Sequence, residues 1–135
     1  MPNWCENNLI LSHKDPEQIE RVVKAFNENN LLSEFHPMPK DTADWWQWSI
    51  DNWGTKWEIG ISRGTIERLS PTRVSMSFLS AWSPPVNWYD RMVELGFKVR
   101  ADYKEYGIGF QGVYDERFGD ECWDIHEMDS NIEEE

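Results

Sequence analysis

Positive charge is scarce in this chain. Thirteen lysines and arginines face 25 aspartates and glutamates, a formal net charge of −12. Binding along a nucleic-acid backbone draws its affinity from counterion release to a basic footprint, so that function class is disfavoured. Cysteine is nearly absent. Cys5 and Cys122 stand at opposite ends. They read as two reduced thiols, with a bridge between the C-terminal segment and the first strand as the alternative. The three histidines, His13, His36 and His126, are isolated. No His or Cys pair has metal-ligand spacing, and Asp120, Glu121 and Asp124 lack a calcium-loop pattern. No glycine-rich phosphate loop occurs; Gly107-Ile108-Gly109 reads as a hairpin turn. The expectation is no metal, no cofactor and no catalytic residue. No apolar run approaches the roughly 20 residues that span a bilayer. Met1–Trp4 carries neither the basic nor the apolar region of a signal peptide. A cytoplasmic protein with no membrane partner is therefore expected.

Tryptophan, by contrast, is abundant, with nine in 135 residues. Trp45, Trp46, Trp48, Trp53 and Trp57 crowd one stretch, Trp82 and Trp88 another, and Trp4 and Trp123 lie near the ends. Indoles combine a large apolar area with one N–H that wants a partner, which suits binding surfaces. Acids are also clustered. Residues 115–135 hold ten acids, including Asp115, Glu116, Asp120, Glu121 and Asp124, against Arg117 alone. Such a segment attracts a basic partner.

The length fits one domain, taken as residues 1–127 with an acidic, frayed tail at 128–135. Alternation over Trp4–Leu11 predicts a strand. Asp15-Pro16-Glu17-Gln18 predicts a helix start, with Ile19, Val22, Val23 and Phe26 as its buried stripe. Thr42 predicts the N-cap of a second, tryptophan-rich helix ending at Gly54. Trp57, Ile59 and Ile61 alternate as a strand, and Val74, Met76 and Phe78 as another. Ser83 and Pro84 predict the start of a further helix bearing Val86, Tyr89 and Val93, closed by Gly96. Phe97, Val99, Ala101 and Tyr103 then form a half-exposed strand. A hairpin at Tyr106-Gly107 and a short edge strand at 121–126 follow. The order predicts an α+β fold of the ferredoxin-like split βαβ type. It has an antiparallel sheet with helices on one face, an inserted tryptophan-rich helix and a C-terminal β extension.

Three segments, Asn3-Trp4-Cys5-Glu6-Asn7, Asn52-Trp53-Gly54-Thr55-Lys56-Trp57 and Ala81-Trp82-Ser83-Pro84-Pro85, together resemble the YubB-like family. Its (Api-like) ferredoxin-like-domain proteins are carried by phages, plasmids and genomic islands. The resemblance covers about residues 1–114. It implies the ferredoxin-like fold and a mobile-element origin, and no established activity.

Asn52–Trp57 reads either as a pocket, with Lys56 holding an anion between two indoles, or as a helix C-cap with a packed tryptophan pair. Trp82–Pro85 reads either as an anion site at a helix N-terminus or as a simple N-cap. Asn7, on a central strand, is either a satisfied structural residue or a site residue. Lys98, Arg100 and Lys104 share one strand face that Tyr106 continues, which keeps single-stranded nucleic acid as an alternative. The leading reading is a non-enzymatic interaction protein. It would bind a basic protein partner through Asn7, Trp53, Thr55, Lys56, Trp57, Trp82 and Ser83, aided by the acidic segment. A DNA-mimic-like inhibitor is a specific variant. A small anionic ligand pocket or enzyme is the third reading.

Overall fold

The computed structural model describes residues 3–125. The expected tail at 128–135, and His126, lie outside the described residues. Among the described residues, six strands form one sheet: β1 Trp4–Ser12, β2 Gly64–Ser70, β3 Arg73–Ala81, β4 Lys98–Glu105, β5 Phe110–Asp115 and β6 Gly119–Asp124. Their spatial order is β2-β3-β1-β4-β5-β6, and all neighbours run antiparallel. Four α-helices accompany it among the described residues: α1 Pro16–Asn27, α2 Leu31–Phe35, α3 Trp45–Asn52 and α4 Val86–Glu94. The fold is mixed α+β, as expected.

Strict alternation in β1 divides the sheet into two faces. Cys5, Asn7, Leu9 and Leu11 are buried, whereas Glu6 and Asn8 are exposed. The buried set joins Val74, Met76 and Phe78 of β3 and Val99 and Ala101 of β4. Against them pack Ile19, Val22 and Phe26 of α1 and Trp88, Tyr89 and Met92 of α4. Each large apolar side chain so buried contributes about 1.5–3 kcal/mol. α1 starts as read from sequence: the Asp15 carboxylate accepts from Glu17 N–H at 3.0 Å, with Pro16 at the first helical position. The other sheet face, with Glu6, Asn8, Arg100 and Asp102, carries no helix among the described residues and is open.

Four local expectations are corrected. Residues 57–61 are not a strand; the strand lies at Gly64–Ser70. The Glu58 carboxylate turns inward and caps α2, accepting from Leu32 N–H (2.5 Å), Ser33 N–H (2.9 Å), the Ser33 hydroxyl (2.6 Å) and Ile59 N–H (3.0 Å). A chain pinned at consecutive residues to a helix end cannot lie in a ladder. The N-cap of α3 is Asp44, which accepts from Gln47 N–H at 3.0 Å, while the Thr42 hydroxyl donates to Pro39 O. Ser83 does not cap α4; its hydroxyl donates to Gly54 O. The stripe of α4 is Trp88, Tyr89 and Met92, with Val86 and Val93 at its margin.

Cys5 is buried and Cys122 exposed, and both are free thiols. Burial pushes the Cys5 thiol up to about 12, which removes it as a nucleophile near neutral pH. Tyr89 is fully buried, and its hydroxyl meets no hydrogen-bond partner among the described residues. An unmade buried bond costs about 1–3 kcal/mol. Tyr89→Phe is therefore expected to leave stability unchanged or raise it by about 1 kcal/mol in urea unfolding. A loss above that size would mean the hydroxyl is satisfied.

A tryptophan–cation ladder as candidate functional site

The two tryptophan motifs at 52–57 and 81–85 lock onto each other. Gly54 sits at φ +89°, and a Cβ there would meet the backbone nitrogens of Val86 and Asn87 at 3.1 Å. Only glycine fits that turn without strain. Ser83 donates to Gly54 O, Thr55 donates to Ala81 O at 2.8 Å, and Trp88 N–H donates to Trp53 O at 3.1 Å. The Asn87 amide donates to Ile50 O and Asp51 O, tying α3 to α4.

This clasp uses up several candidate site residues. Trp53 is buried, and its indole N–H donates to His36 O at 3.0 Å. Thr55 is wholly buried in its bond to Ala81 O. The Asn7 amide donates to the Ser80 hydroxyl (2.8 Å) and Cys5 O (3.0 Å). Trp53 and Thr55 are thereby held in structural roles, whereas the Asn7 Oδ1 is buried without a hydrogen-bond partner among the described residues. The start of α4 faces Gly54 and Trp53 O, so an anion does not reach it there.

What the clasp displays is different. The Lys56 ammonium lies 4.7 Å from the Trp57 ring centroid and 4.8 Å from that of Trp82. Trp82 meets Trp46 edge to face at 6.4 Å. Trp57 meets Trp4 at 6.1 Å, and the Arg63 guanidinium covers Trp4 at 4.3 Å. The run Trp46–Trp82–Lys56–Trp57–Trp4–Arg63 is thus one ladder in which each pair of indoles is followed by a cation. Trp46, Trp57 and Trp82 are about two-fifths exposed, at 45%, 38% and 40%, and Trp45 beside them at 46%. Each cation–π contact contributes about 0.5–1 kcal/mol at exposed sites. The ladder therefore holds the rings in place while leaving apolar area in water. Sequence reasoning placed Lys56, Trp57 and Trp82 here. Trp4 and Arg63 join them only through the fold.

Trp82 also carries backbone strain. Its φ is +69°, rare for a bulky residue. Its N–H donates to Asn3 O at 2.7 Å, which holds that conformation. Strain of this kind persists where the surroundings impose it and clusters at functional sites. Trp82→Gly and Trp82→Ala both remove the indole, but only alanine keeps the Cβ penalty. The glycine variant is expected to be about 1 kcal/mol more stable in urea unfolding. Equal stabilities would argue that the residue relaxes.

The acidic residues lie toward the β6 edge of the sheet, on β5, β6 and the turn between them. Asp115 accepts from Arg117 and lies 3.5 Å from Arg100, and these guanidinium groups hold its carboxyl well below the usual range. Glu116 accepts from Val99 N–H, and Asp120 accepts from the Tyr103 hydroxyl at 2.5 Å. Glu121 and Asp124 are exposed on the β6 edge. Charged edges of this kind discourage strand addition.

Among the described residues, no group of three or more His, Cys, Asp or Glu could hold a metal ion. No described helix is long and apolar enough to cross a membrane. No protein-family model, curated protein or solved structure matches the chain.

Proposed function

We propose that this chain is a non-enzymatic interaction protein that engages a partner protein through the tryptophan–cation ladder. The observation that carries the reading is four partly exposed tryptophans, Trp45, Trp46, Trp57 and Trp82, three of them held in register with Lys56 between two rings. Trp and Arg are enriched in binding hot spots, and an indole fixed in place buries much area at little entropic cost. A fixed ladder has already met most of that cost.

The finer fold assignment belongs to this proposal. The order β2-β3-β1-β4 with antiparallel neighbours supports a ferredoxin-like core extended by β5 and β6. The kinship with YubB-like proteins and the mobile-element origin rest on the three motifs named above, and a cytoplasmic location belongs to the same reading. Glu121 and Asp124 would add attraction to a basic partner, as in a DNA-mimic-like inhibitor.

The test is comparative retention. Wild-type protein is immobilised beside Lys56→Glu and Trp82→Ala variants and exposed to lysate. A partner held by the wild type and lost from both ladder variants supports the reading. Identical retention on all three would overturn it.

A further inference from the structure

We propose that the open face of the sheet binds a mononucleotide, its phosphate at Arg73 and Lys98 and its base against Ile10, Val113 and Phe118. The site lies at the opposite end of β1 from the ladder: Trp4 pairs with Ala81, whereas Ser12 pairs with Arg73 and Lys98. Eight residues of strand separate the two, roughly 26 Å.

The phosphate end is a groove of about 270 Å³ lined by Arg73, Lys98, Arg100 and Arg117. Lys14 and Lys98 line the adjoining groove. Five of the chain's 13 cationic side chains thus gather at one corner of an acidic protein. Arg100 and Arg117 are both engaged by Asp115. Arg73 and Lys98 form no ion pair among the described residues. The carboxylates facing this corner are Asp115 and Glu116, the latter accepting from Val99 N–H. The first groove's four cations, Arg73, Lys98, Arg100 and Arg117, against these two carboxylates leave a local +2. A phosphate monoester carries about −1.5 to −2 near neutral pH, the matching charge.

The base end is contiguous with it. A second groove of about 370 Å³ shares Ile10 and Arg100 with the first and is predominantly apolar. Ile10, Val113 and Phe118 form its apolar lining, and Phe118 is 73% exposed. Asn8 and Asp102 close its far side, joined by a 3.0 Å bond from the Asn8 amide to one Asp102 oxygen. The other Asp102 oxygen is an acceptor for a base amino group. Apolar walls, one ring, a fixed polar pair and a cationic end match the make-up of small-ligand sites of this size. A base stacked on an aromatic ring gains about 1–3 kcal/mol. The overall charge of −12 argues for a ligand with one phosphate rather than a long polyanion.

The experiment is calorimetric titration of the full chain at low salt. The probes are adenosine monophosphate, adenosine, inorganic phosphate and an oligothymidylate of about 20 nucleotides. The monophosphate is expected to bind saturably, at least about tenfold tighter than adenosine or phosphate. Arg73→Glu combined with Lys98→Glu should weaken it at least about tenfold, and Phe118→Ala should weaken it without changing the response to phosphate. Lys56→Glu, in the ladder, should leave it unchanged, which separates this site from the partner surface. No saturation at about millimolar nucleotide, or binding indifferent to the double charge reversal, would overturn the proposal. So would oligothymidylate binding with the monophosphate silent, which would make the corner a backbone-tracking nucleic-acid surface.

Discussion

Glu58→Ala is expected to lower stability by about 3 kcal/mol, with a midpoint fall of roughly 10 °C in thermal unfolding. Four donors converge on this one carboxylate: two backbone amides and a hydroxyl at the start of α2, and the amide of Ile59. Bonds to a charged acceptor contribute about 1.5–3 kcal/mol each, and donors left behind in a half-buried loop recover only part of that from water. The loop also lies directly after Lys56 and Trp57, so its release frees the ladder's central rungs. Glu58→Gln keeps one acceptor oxygen and should cost about half as much. An alanine effect below about 0.5 kcal/mol would mean that the carboxylate is not seated on the helix in solution.

The second large effect concerns the ladder. Lys56→Glu and Trp82→Ala are each expected to weaken binding of the partner retained by the wild type by about 2 kcal/mol, roughly 30-fold. Lys56→Glu reverses the charge between two ring faces and removes both cation–π contacts. Trp82→Ala removes the indole that joins Trp46 to Lys56. The two share a contact, so their effects should fall short of additive in a double variant. Surface titration against the purified partner measures this. Full additivity would mean that the rungs act independently and that the ladder is not a unit.

Different parts of this arrangement were legible to different degrees. Alternation exposed β1, β3 and β4 because one face of each packs against helices while the other meets water. β2 shows no such alternation, for the same reason inverted. It is an edge strand with only Gly64 and Ile66 partly covered, so burial imposes no period on it. The false strand at 57–61 arose because Ile59 is buried between two exposed apolar residues, Trp57 and Ile61. That mimics a period of two without any ladder. The short helix α2 shows only Leu31, Leu32 and Phe35 as a signal, too few residues for a helical stripe.

The site divides similarly. Composition alone marked tryptophan as the unusual investment, and the motif positions marked Lys56, Trp57 and Trp82. Separating them from Trp53, Thr55 and Asn7 required contacts across the chain, such as Trp53 to His36 O and Thr55 to Ala81 O. The basic corner was partly visible, since Lys98 and Arg100 alternate within one strand. Arg73 and Arg117 join them only through strand pairing and the β5–β6 turn.

By itself, the sequence determined the helix-covered face of the sheet, the α1 cap, the surplus of acid and the stretches where indoles collect. These follow from local periodicity and residue chemistry, which need no knowledge of distant neighbours. Tertiary structure alone decided which indoles reach water and which cation stands between them. Those outcomes depend on Gly54 pressing against the start of α4, on Asn3 holding Trp82 at positive φ, and on Glu58 turning inward. Each is a contact between residues far apart in sequence, so no local pattern encodes it.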